Sequence, residues 1–182
     1  MSKLKMSEDK LKQEMKIKKI IWKCNDSTNC YAFALGLDIP EERILRHAYQ
    51  LGVIGATIRN IPLKHLKYMT YEERLYLDMN ALKIPCLKTS QDINPYVDEY
   101  GKYYYLSWII SLYENDYDFH FLRKSENGIW YHKRGYLKFP TNVDTKGHII
   151  TDLDNCSIDN YHYIGSYKLE CKVKKENNIR SR

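Results

Sequence analysis

The run Tyr103-Tyr104-Tyr105-Leu106-Ser107-Trp108-Ile109-Ile110-Ser111-Leu112-Tyr113 constrains the fold more than any other stretch of this chain. Aromatic and β-branched side chains suit the pleated surface of a strand, and such a long apolar run predicts a central strand of a sheet. Sheet partners should follow it. Asp118–Arg123 and Gly128–Lys133 flank Ser125-Glu126-Asn127-Gly128, whose Asn-Gly pair is a strong hairpin signal. A further turn is expected at Asp144-Thr145-Lys146-Gly147, and a last strand over Tyr161–Val173.

The first half of the chain reads as helical. Residues 7–21 form a lysine-rich amphipathic pattern with Ser7 as its cap. Residues 40–51 open on Pro40-Glu41-Glu42 and carry Ile44, Leu45, Ala48 and Leu51 at helical spacing, and 71–82 lie between Thr70 and Pro85. Between the first two, the polar turn-forming run Lys23–Asn29 leads into Cys30-Tyr31-Ala32-Phe33-Ala34-Leu35 and then Gly36, which predicts a helix starting near residue 29. Helices first and strands after make an α+β layout. The 182 residues suffice for one well-cored domain, taken here as 1–173, with 1–22 a basic helical extension and 174–182 a basic tail expected to fray.

Cys30 stands where a helix dipole and unpaired N–H groups favour a thiolate. The five cysteines are odd in number and without repeated spacing, so in a reducing compartment they are expected to be free thiols. His120, in the predicted strand Asp118-Phe119-His120-Phe121-Leu122-Arg123, is the candidate base for Cys30. His47 and His65 are isolated and read as ordinary surface or helix histidines.

A cysteine opening an early helix, a histidine on a later strand and a polar residue on a neighbouring strand is the layout of papain-like thiol enzymes. Asn29-Cys30-Tyr31-Ala32-Phe33-Ala34 resembles the Asn-Cys-Tyr-Ala-Tyr-Ala helix start of small bacterial and phage papain-like proteins of the NlpC-like type. Asp118–Arg123, Gly128-Ile129-Trp130-Tyr131-His132-Lys133-Arg134-Gly135 and Thr141-Asn142-Val143-Asp144 are similar to later blocks of the same family. Arg134 stands where proline is usual and Leu122 where tyrosine is usual. The resemblance implies a papain-like α+β fold, with Cys30 on a central helix and His120 in a C-terminal antiparallel sheet. It also implies acyl transfer: Cys30 attacks a carbonyl, His120 shuttles the proton, and a thioester forms. Either His132, as in the Cys-His-His cell-wall amidases of that superfamily, or Asp144 would orient His120. Asn25 is the side-chain candidate for the oxyanion hole, beside the Cys30 N–H.

The expected reaction is cleavage of an amide or peptide bond. The alternative is amide synthesis, the thioester passing to an amine, as in the similar amide synthetases of closthioamide-type biosynthesis that take acyl groups from a carrier protein. The net charge of +6 would suit an acidic carrier. A third reading is a non-catalytic basic binding protein. A nucleic-acid partner is disfavoured, because the 17 tyrosines concentrate in strand-like segments. Cysteine and histidine spacings do not suit zinc and no glycine-rich phosphate loop occurs, so no metal or cofactor is expected. The chain shows neither a secretory signal nor a membrane span, and a cytoplasmic location is the expectation.

Overall fold

A computed structural model describes residues 29–36, 63–135 and 139–174. Within them lie helices α1 (Cys30–Leu35), α2 (Leu63–Leu66) and α3 (Tyr71–Leu82), and strands β1 (Cys86–Thr89), β2 (Tyr96–Tyr100), β3 (Tyr103–Glu114), β4 (Phe119–Lys124), β5 (Trp130–His132) and β6 (His162–Lys174). The strands form one antiparallel sheet in the order β1-β6-β3-β4-β5, with β2 also on β3.

The apolar run is the spine of that sheet. β6 pairs with β3 along its whole length, while β2 and β4 share the opposite edge, β2 from Tyr103 to Ser107 and β4 from Ile110 to Glu114. Side chains alternate between faces. Trp108, Ile110 and Leu112 join Phe121, Tyr167 and Leu169 on one face, under Tyr31, Ala34 and Leu35 of α1 and Leu75 and Met79 of α3. Ile109 and Tyr113 join Leu122 and Trp130 on the other, under Ile150, Leu153 and Ile158. Both faces are therefore dry, which is why the run lacks a polar alternation.

Local rules set the ends of the elements. Thr70 and Glu73 form a capping box at the start of α3, and Lys83 closes it in the left-handed region. At the β4–β5 turn the Ser125 carbonyl accepts from Gly128 N–H at 3.0 Å, and Gly128 takes a φ of 85° that asparagine or glycine alone tolerates well. A bulge between Leu112 and Tyr113 lets β6 slip by one residue near its start, so Tyr163 lies opposite Tyr113.

The expected helix-rich papain-like α+β fold with a central catalytic helix is not what forms. The described residues are dominated by six antiparallel strands, and their three helices are short. One cause is visible after α3, where a stretch to which the sequence assigns no element pairs as β1 and β2 on β6 and β3. The cysteine helix has only six residues, because Gly36 (φ 72°) takes up a left-handed cap whose N–H bonds back to Ala32 and Phe33 carbonyls. That helix packs most closely on β4 and β5 rather than at the sheet's centre. The helices expected over 7–21 and 40–51, with Asn25, His47 and the tail beyond Lys174, lie outside the described residues.

Candidate active site

Asn29 explains where Cys30 sits. Its side chain accepts from Ala32 N–H at 2.9 Å and its carbonyl from Phe33 N–H at 3.0 Å, so it is the N-cap and Cys30 the first helical residue. Tyr31 fixes the helix laterally. Its hydroxyl donates to the buried carboxylate of Asp78 on α3 at 2.7 Å, and its ring packs 5.0 Å from that of Phe121.

The N-terminus of α1 abuts the part of β4 that β5 leaves unpaired, since the β4–β5 register begins only at Leu122 opposite His132. The Cys30 sulfur there faces the backbone N–H groups of Phe121, Tyr31 and Cys30 itself, each of which favours a thiolate. Burial outweighs them: it is the largest influence, Asp118 adds to it, and the thiol is pushed up to about 12. At neutral pH Cys30 rests as a thiol.

His120, one residue before Phe121, is hydrogen-bonded to His132. Its Nε2 lies 2.8 Å from His132 Nδ1, and His132 Nε2 lies 2.9 Å from the Val143 carbonyl. A carbonyl only accepts, so His132 carries its proton on Nε2. In the neutral ring its Nδ1 must then accept, which makes His120 Nε2 the donor. The basic lone pair of His120 is left on Nδ1. Burial, followed by the charges of His132 and Arg134, pushes His120 from its ordinary 6.5 down to about 3, and burial also lowers His132. Both rings rest neutral, and the chain from the Val143 carbonyl fixes their tautomers.

Asp144 does not face His120. Its Oδ1 accepts from Lys146 and His148 N–H at 2.9 and 2.8 Å and its Oδ2 from Ser157 N–H at 3.2 Å. Burial works against its charge, but these amides prevail and hold the carboxyl below its ordinary value. Asp144 thus shapes the turn that presents the Val143 carbonyl. The hydrogen bond to His120 belongs to His132.

One further residue lies beside His120 and had no signal in the sequence. The Tyr161 ring lies 5.9 Å from that of His120, and its hydroxyl donates to Asp118 Oδ2 at 2.7 Å. Tyrosine and aspartate are 43 residues apart, so no local pattern could have joined them. Asn25 and Cys24 lie outside the described residues. His65 is exposed on α2, and His148 and His162 are exposed on loop and strand. Among the described residues no group of three His, Cys, Asp or Glu side chains is arranged to hold a metal ion, and no helix is long and apolar enough to cross a membrane. Comparison with protein-family models, curated proteins and solved structures returned no match, so the chemistry rests on the geometry of these residues.

Proposed function

We propose that the chain is a cysteine-nucleophile acyl-transfer enzyme that acts through an acyl-thioester on Cys30. The observation that carries this is the His120–His132–Val143 carbonyl chain, which leaves a basic Nδ1 on the residue beside the amide that faces the Cys30 sulfur. Nothing in core packing requires two buried histidines to be aligned in this way.

The chemistry follows from the neutral resting state. As the Cys30 sulfur attacks a carbonyl carbon, the S–C bond forms and the thiol proton passes to His120 Nδ1. The charge that appears on His120 is shared through His132 to the Val143 carbonyl. The Cys30 and Tyr31 N–H groups, which precede the Asn29-capped Ala32, are suited to receive the developing oxyanion. The proton on Nδ1 then goes to the leaving nitrogen as the C–N bond breaks. A thioester remains, and water or an amine, deprotonated by the same Nδ1, releases the acyl group.

Cleavage of an amide or peptide bond is the simplest outcome. The low exposure of both Cys30 and His120, 7% each, favours the second reading, in which an amine rather than water takes the acyl group, because a dry site slows hydrolysis of the thioester. An acidic acyl-carrier protein would be the matching donor for a chain of net charge +6.

The test is to incubate the protein with a panel of short acyl-thioesters and activated amides, with and without a diamine, and to follow intact and digested protein by mass. The proposal expects an acyl adduct on Cys30 that is lost in Cys30→Ala and strongly slowed in His120→Ala. An amine-containing product would identify amide synthesis, and free acid alone would identify hydrolysis. Adducts spread evenly over the cysteines, or none, would sink the proposal.

A further inference from the structure

Resting on the reading of Cys30 as the nucleophile, we propose that Tyr161 is a movable cover over His120 and the Cys30 sulfur, latched shut by its hydrogen bond to Asp118. The two reactive side chains are nearly buried. A carbonyl carbon cannot meet the sulfur unless part of that enclosure moves. Tyr161 has the contacts of a moving part: its ring lies against the His120 imidazole, and its hydroxyl holds to a carboxylate at the surface rather than to the core.

Backbone structure on the two sides of the latch differs in the same sense. The catch is firm, because Asp118 sits in the tight β3–β4 connection. Its carbonyl accepts from Asn115 N–H at 3.0 Å, its Oδ1 from Phe119 N–H at 2.8 Å, and its own N–H donates to Asn115 Oδ1 at 2.8 Å. Tyr161 sits where the β6 ladder has not begun. It follows a turn closed by its N–H to the Ile158 carbonyl, in which Asp159 holds a φ of 46° that a non-glycine residue rarely adopts. Two residues on, Tyr163 is anchored differently, with its hydroxyl 2.8 Å from Ser166 and its ring on Tyr113. The strand is fixed from Tyr163 onward, and the turn before it can swing. Opening breaks the hydrogen bond to Asp118 and the ring's contacts with His120 and with the edge of the Ile109–Leu122–Trp130 core, and leaves the sheet whole.

Cys30 labelling tests this without any turnover. The full chain is treated with iodoacetamide and, separately, with a bulky fluorescein maleimide, and each cysteine is quantified by mass, with Cys86, Cys156 and Cys171 as internal standards. Tyr161→Phe keeps the ring and removes the latch. Losing one such hydrogen bond should shift the open fraction, and so the Cys30 labelling rate, by about fivefold to tenfold. Tyr161→Ala should exceed it, with the bulky reagent gaining more than the small one. Asp118→Asn should match Tyr161→Phe in that size dependence, whereas the mere loss of a negative charge beside the sulfur would speed both reagents by a common factor.

An unchanged Cys30 rate in Tyr161→Phe and Tyr161→Ala overturns the cover, and so does a parallel rise at the other cysteines. A gated but never acylated Cys30 would remove the enzyme and leave the cover standing. An acylated but ungated Cys30 would do the reverse.

Discussion

The Val143 carbonyl decides which nitrogen of His120 is basic, so the site's chemistry turns on a group with no side chain to announce it. Replacing His132 by alanine leaves the His120 Nε2–H and the Val143 carbonyl without the ring they share. The expected cost is about 2 to 4 kcal/mol of folding stability by urea denaturation, together with loss of the fixed tautomer. The same two rings set a pH dependence. Histidines whose folded values are depressed bind fewer protons folded than unfolded, so their contribution is full above the unfolded value and is lost as pH falls. For His120 the window runs from 6.5 down to about 3, and stability should fall there by up to about 1.4 kcal/mol per pH unit for each such histidine. Urea midpoints between pH 7 and pH 4 check this. A His120→Gln chain that loses stability as steeply as the parent would show that the buried imidazole is not the cause.

At the scale of elements, the cysteine helix is so short that its cap carries much of its definition. Asn29→Ala removes the acceptor for Ala32 N–H and should cost about 1 kcal/mol. Asn29→Asp keeps the cap within a few tenths of that, yet places a negative charge beside the sulfur, so Cys30 alkylation should slow while the urea midpoint holds. Equal alkylation rates in the parent and Asn29→Asp would mean that residue 29 only caps. This helix was legible from Asn29 and Gly36, and α3 from Thr70 and Pro85, because caps are local chemistry. β3 and β6 were legible because their composition suits no other element. β1 and β2 were not: Cys86-Leu87-Lys88-Thr89 and Tyr96-Val97-Asp98-Glu99-Tyr100 are largely exposed, and they are strands only because β6 and β3 offer them edges. The expectation of a helix-rich fold came from leaving those two stretches outside the sheet. Cys30 and His120 stood out in local text, whereas the choice between His132 and Asp144 depended on where a loop folds back.

At the scale of the whole molecule, that loop is what couples the sheet to the site. Residues 141–161 cover one face of the sheet, present the Val143 carbonyl to His132 and carry Tyr161 over His120. Gln91, between β1 and β2, ties the loop down. Its side-chain amide donates to Asp152 and Asp154 at 3.2 and 2.8 Å, its side-chain oxygen accepts from Leu153 N–H at 2.6 Å, and its backbone carbonyl accepts from the Lys124 ammonium at 2.5 Å. Gln91→Ala keeps the backbone bond to Lys124 and removes the three side-chain bonds to the loop. Because β3 and β6 are paired along their whole length, their opening should cost the global unfolding energy in parent and variant alike, while the loop opens below it. Native-state hydrogen exchange should therefore speed across 144–161 and leave the central amides of β3 and β6 as slow as before. If the loop positions the catalytic chain, acyl-adduct formation on Cys30 should fall in the same variant. Faster exchange spread evenly over the sheet would make Gln91 a general stabiliser, and faster loop exchange with an unchanged acylation rate would separate the loop's order from the chemistry at His120.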